Sequence, residues 1–303
     1  MSRKGWALFI CMCVIWGLPY LFIRVAVREL SPASLVLYRT TPAAILLLPL
    51  ALRQGRLGEL VRRWRWLLVY TAVELAVPWL LLARAEQHIS SSLAGLLVAT
   101  VPLVGAVLYR VLGVGDRLDA RRLIGLLIGF AGVAALVGID VGGSDPAAIG
   151  EVLIVAVCYA SGALIIGRKL AGLPSFGVVA ASLLLTAVVY APAGVAQAPW
   201  SLSGETIAAL AVLAVVCTAV AFTVFFALIA EVGPSRATVF TYINPLVAVL
   251  LGVVLLGEPF TVGIAVGMPL ILAGSVLGTA PALRRADGAR PPGDTAGGLP
   301  PGS

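Results

Sequence analysis

Two ionisable residues stand deep inside apolar runs, and they define the chemistry this chain could do. Arg39 lies about seven residues into the run 32–52, and Glu74 about eight residues into the run 66–82. At 1.5 Å per residue each is ~10–12 Å from its entry face, near the middle of a ~30 Å hydrocarbon core. Ionisable groups at that depth are costly and mark substrate paths, ion sites or structural pairs. The two runs enter from opposite sides, so an Arg39–Glu74 ion pair is expected, either as a bridge between helices or as part of a transport site. Tyr70, Thr71, Glu74 and Pro78 recur at helical spacing and give their run one polar face. Thr241 and Asn244 share a face of a later run. Pro245 follows and frees the Thr241 carbonyl one turn back, as a ligand acceptor or a hinge. Pro102 holds the equivalent place in an earlier run. The stripe Ser182, Thr186, Tyr190 reads either as a cavity face or, preferred here, as bonding between neighbouring helices. Arg24 and Arg110 lie near run ends, where snorkelling to the interface is expected.

Other chemistries find no support. Cys11, Cys13, Cys158 and Cys217 all lie in apolar runs, without metal-ligand spacing, and read as small buried hydrophobes. The single histidine, His88, cannot form a metal cluster alone. No nucleophile–base pair points to catalysis, no cofactor motif appears, and no glycine-rich phosphate loop points to an ATP-driven pump.

The elements that must position these residues are membrane helices. The chain is 60% hydrophobic and 12% charged, with mean hydropathy +1.06. A soluble domain of this length carries far more charge. Ten apolar segments can be drawn, at about 6–27, 32–52, 66–82, 92–112, 123–139, 148–167, 176–195, 207–230, 238–256 and 261–277. Their length and continuity fit helices rather than barrel strands, and a helix satisfies its own backbone in lipid. Trp6, Trp64 and Trp66 suit the interface.

The chain is also internally duplicated. Ser92-Leu93-Ala94, Val101-Pro102-Leu103, Gly115-Asp116, Gly125 and Gly132 are matched by Ser235-Arg236-Ala237, Asn244-Pro245-Leu246, Gly257-Glu258, Gly267 and Gly274. Five crossings per copy force the copies into opposite orientations, an arrangement typical of secondary transporters. The expected fold is therefore all-α, ten transmembrane helices as two inverted five-helix repeats, 1–140 and 141–283, followed by a disordered cytoplasmic tail, 284–303. Glycines 125, 129, 132, 263, 267 and 274 predict close packing in helices 5 and 10. The net charge of +7 sits in short loops and tails, as a topology signal and not a nucleic-acid patch. Arg3, Lys4, five arginines at 53–65, Arg117, Arg121, Arg122, Arg168, Lys169, Arg236, Arg284, Arg285 and Arg290 fall on one side, which places both termini in the cytoplasm.

With these residues in view, the chain resembles the drug/metabolite transporter superfamily, EamA type. The resemblance rests on Val14-Ile15-Trp16-Gly17, on Tyr38-Arg39, and on Ala85-Glu86-Gln87-His88-Ile89-Ser90-Ser91-Ser92. Gly233 to Ala237, Asn244-Pro245 and Gly252 through Gly257-Glu258 complete it. Departures are Pro19, where the family often has a polar residue, and Ser161-Gly162 opposite Trp16-Gly17. The resemblance implies a central cavity lined by helices 1–4 and 6–9, with helices 5 and 10 peripheral. It also implies movement, often export, of small metabolites such as amino acids, or of drugs.

The expected activity is secondary transport in a bacterial plasma membrane; the alternatives are a channel-like facilitator and a non-transporting sensor or assembly subunit. The expected substrate path comprises Trp16, Tyr38, Arg39, Tyr70, Thr71, Glu74, Thr241 and Asn244. Gly17, Pro102, Gly162 and Pro245 are expected hinge or packing positions. Expected partners are a small-molecule substrate, protons and the lipid bilayer, without nucleic acid; a homodimer is compatible with this reading.

Overall fold

A computed structural model describes residues 1–113, 120–140 and 145–279. The Gly115-Asp116 mark and the 284–303 tail lie outside the described residues. Ten apolar helices follow the ten predicted runs: α1 Arg3–Ala26, α2 Pro32–Gln54, α3 Trp64–Ala85, α4 Ser91–Val111, α5 Ala120–Gly138, α6 Pro146–Arg168, α7 Ser175–Ala196, α8 Gly204–Val232, α9 Thr238–Leu256 and α10 Val262–Gly278. Among the described residues there is no strand.

Local chemistry sets the helix ends. Ser31, Ser90 and Ser203 cap α2, α4 and α8 by accepting from the backbone of Ser34, Leu93 and Thr206. Pro32 and Pro146 occupy first-turn positions that need no N–H. Gly257, with φ of 66°, closes α9 in the left-handed region. Large apolar side chains such as Val188, Leu250 and Val254 stay more than half exposed, on surfaces that a bilayer would cover.

Five helices are irregular, in two pairs plus one. α3 widens into a π-helix at Ala72–Ala76 and α8 at Val212–Val220. α4 breaks at Ala99–Thr100, before Pro102. α9 opens as a 3₁₀ turn, Thr238–Tyr242, and breaks at Ile243, before Pro245. α1 breaks at Trp16–Leu18, before Pro19, whereas α6 runs unbroken. The irregular positions of α8 and α9 follow those of α3 and α4 by about 143 residues, the offset of the paired sequence marks.

α5 and α10 pack on each other through glycines: a Cβ on Gly132 would lie 2.8 Å from Ile271 N, and one on Gly267 would lie 2.9 Å from the Gly132 carbonyl. The predicted close packing of helices 5 and 10 is what the structure contains.

Candidate functional site

The irregular segments bring the polar residues together. Arg39 of α2 is only 6% exposed. Its Nε donates to Thr218 Oγ1 of α8 at 3.1 Å, and its guanidinium carbon lies 3.7 Å from the centre of the Trp79 ring of α3. Thr218 in turn donates to the Leu213 carbonyl, one of the groups loosened by the α8 π-helix. The Ala76 carbonyl of the α3 π-helix is met by the Tyr190 hydroxyl at 2.9 Å. Of the predicted stripe, Tyr190 bonds a neighbouring helix, whereas Thr186 donates to the Ser182 carbonyl of its own helix and the Ser182 hydroxyl has no partner.

The expected Arg39–Glu74 ion pair does not form. Glu74 lies in the π-helical turn and points to α6, where its Oε2 rests against Gly162 and has no hydrogen-bond partner. A Cβ on Gly162 would collide with that carboxyl, so Gly162 is the packing position for Glu74. Tyr159 of α6 lies within electrostatic reach of both charges. Since the two side chains share no contact, their losses should add. Arg39→Ala combined with Glu74→Gln is expected to destabilise by the sum of the single changes, within about 0.5 kcal/mol. Melting curves of the three variants check this; a double variant more stable than Arg39→Ala alone would restore the pair.

The other predicted residues divide into groups. Trp16 joins Phe222, Phe225 and Phe240 in an aromatic cluster, with ring centres 5.0–5.9 Å away. Asn244, with its amide oriented to match its surroundings, donates to the Cys13 and Phe240 carbonyls at 3.1 Å each, tying the α9 break to α1. Gly17 lies against Val247 in the same contact. Thr241 donates to the Thr238 carbonyl within its own 3₁₀ turn. Tyr38 lines an apolar groove of about 370 Å³ with Pro42 and, across it, Leu210, Ala214 and Val215 of α8. Tyr70 is buried against Leu60, Leu67 and Leu170, and Thr71 is buried with its hydroxyl unpartnered.

Arg24 Nη1 donates to the Glu86 carbonyl at the end of α3. Glu86 and Glu258, which sequence reasoning treated only as family marks, are both drawn into this end of the bundle.

A bundle of ten broken and unbroken apolar helices with buried polar residues is the architecture of a multi-pass membrane protein. The EamA-like transporter family model matches residues 3–138 and 147–279, and the chain belongs to that family. It is 33% identical over 260 residues to the Escherichia coli K12 protein described as the uncharacterized inner membrane transporter YedA, covering 83% of this chain and 82% of that one. It is 25% identical to the uncharacterized transporter YvbV of Bacillus subtilis, covering 86% of this chain and 87% of that one. It is also 27% identical to a probable terminal-alkyne amino-acid exporter of Streptantibioticus cattleyicolor, covering 92% of each. One crystal structure shares the fold at a TM-score of 0.65 and 22% identity, over 92% of this chain and 97% of that chain. The protein is thus a multi-pass membrane transporter of the EamA family.

Proposed function

We propose that this protein is a secondary transporter that exports small amino-acid-like or drug-like metabolites across a bacterial cytoplasmic membrane. Two oppositely oriented five-helix halves alternate access around Arg39, and both termini face the cytoplasm. The observation that carries this reading is the pairing of irregularities. π-helices occur in α3 and α8, and breaks before Pro102 and Pro245 in α4 and α9; Arg39, buried against α3 and α8, makes no ion pair among the described residues. Irregular segments rearrange more readily than regular helix and recur where helices carry function.

Arg39, stacked on Trp79, presents a planar cation to an anionic group of the substrate. Glu74, with an unpartnered carboxyl oxygen, is the group assigned to proton exchange in the cycle. The resemblance to an amino-acid exporter supports both the substrate class and the direction.

A thermal-shift panel on purified protein would first select a compound that stabilises it. In proteoliposomes that compound should then show saturable counterflow, accelerated by unlabelled compound on the opposite side. Linear, non-saturating flux would mean a channel, and no flux of any stabilising compound would remove the transport reading. For topology, single cysteines near Arg62 and Asp145 should react with an impermeant reagent on opposite faces, with only the Asp145 site labelled from outside intact cells.

A further inference from the structure

Three sequence marks outside the substrate path converge at one point of the fold: Glu86 after α3, Ser91-Ser92 at the start of α4, and Glu258 after α9. Glu258 accepts four hydrogen bonds there. The backbone N–H groups of Ser91 and Ser92 donate at 2.7 and 3.0 Å, and their hydroxyls donate at 2.9 and 2.5 Å. The start of α4 supplies the N–H groups that a helix leaves unmade. Gly252 makes the room, since any Cβ there would strike Glu258 and Ser92. The result is a clasp between the end of α9 and the start of α4.

Glu86 lies beside the clasp. Its side chain is 0% exposed, and neither carboxyl oxygen has a hydrogen-bond partner. The charged and titratable groups that face it are Glu258 beyond α9, Arg24 and Tyr20 of α1, and Arg39 of α2. Burial, and then the nearby Glu258, hold its carboxyl well above the usual range, and Arg24 and Arg39 only partly oppose them. Of two neighbouring acids, one has four donors at hydrogen-bond distance, and the other has only the more distant backbone N–H of Arg24 turned toward it. The latter is the one that can stay enclosed only as a neutral acid.

We propose that Glu86 is a proton-binding site that controls the Glu258–Ser91/Ser92 clasp. Neutral Glu86 lets both acids share one enclosed volume. Ionised Glu86 sets a second negative charge beside Glu258 with no donor at hydrogen-bond distance, and the ends of α4 and α9 relieve this by parting and admitting water. Parting returns Glu86 to the ordinary carboxyl range, so the closed clasp holds one more proton than the open one. The closed-to-open ratio is constant below the ordinary carboxyl range. It then falls about tenfold per pH unit as pH rises toward the elevated value of the closed state.

The test uses purified full-length protein with the four native cysteines replaced. Ile89, 3% exposed and between Glu86 and Ser91, is changed to cysteine, so that its rate of thiol labelling reports opening. The same cysteine in Glu86→Gln gives the reference, and the ratio of the two rates cancels the pH dependence of the thiol. The ratio of Glu86-containing to Glu86→Gln protein is expected to rise with pH above the ordinary carboxyl range, by up to about tenfold per unit, and to level off once Glu86 ionises in the closed state. A ratio that stays flat above the ordinary carboxyl range overturns the proposal, as does fast labelling in both proteins at every pH. Should Glu86→Gln not fold, Glu86→Leu, which also cannot titrate, takes its place and the same ratio decides. No substrate enters this measurement, so its outcome is independent of the transport assay.

Discussion

Gly132→Ala is expected to lower the melting temperature, although alanine is the better helix former. In isolation the change favours a helix by about 1 kcal/mol. Here the new Cβ would fall 2.7 Å from Leu270 Cβ and 2.8 Å from Ile271 N of α10. The second of these is backbone, which cannot turn aside, so α5 and α10 must separate along their shared face. Overpacking of this kind costs about 1–3 kcal/mol, and separation also removes contacts at Gly267 and Gly274. Gly132→Leu should cost more. The control is Gly150→Ala in α6, where a Cβ meets nothing within 4 Å and the propensity gain stands alone. Melting curves in detergent should therefore move in opposite directions for two identical chemical changes. A shift of the same sign and size in both would mean that the α5–α10 contact is looser than described.

The positions of the helices were legible because lipid imposes long apolar runs, and serine caps, first-turn prolines and terminal glycines punctuate them. The breaks before Pro102 and Pro245 were legible as well, since proline carries its own mechanism. The two π-helices were not. Residues 72–76 and 212–220 contain neither proline nor glycine. Their extra residue is accommodated by partners far away in sequence, such as Tyr190 on the Ala76 carbonyl, and by Thr218 on the Leu213 carbonyl.

That omission explains the misreading of Arg39 and Glu74. Depth in the membrane follows from counting residues, but azimuth requires a constant helical period. A π-turn inserts one residue and advances the face by about 100°. Glu74 sits inside such a turn, so it faces Gly162 of α6 while Arg39 lies on Trp79 and against Thr218. The cluster at Glu86 was hidden for a different reason. Its members come from three loops and helix ends, and the sequence marks each of them without recording that they meet.

Glu258→Ala is expected to release the start of α4. The carboxylate holds two backbone N–H groups and two hydroxyls, and no other acceptor is bonded to the N–H groups of Ser91 and Ser92. Bonds to a carboxylate contribute about 1.5–3 kcal/mol each when measured singly, and four on one group overlap strongly. A net loss of about 3 kcal/mol is the reasonable expectation, which is a factor of more than 100 in an opening equilibrium. Glu258→Gln should fall between, because its amide keeps one acceptor oxygen but turns an NH₂ group toward the donors. Labelling of cysteine at Ile89 should accelerate in the order native, Gln, Ala at every pH, with the melting temperature falling in the same order. Removing Glu258 also removes the negative neighbour of Glu86, so the pH dependence of labelling in Glu258→Ala should weaken while the overall rate rises. Labelling of Glu258→Ala within threefold of the native rate would mean that apolar packing, and not these four bonds, holds the ends of α4 and α9 together.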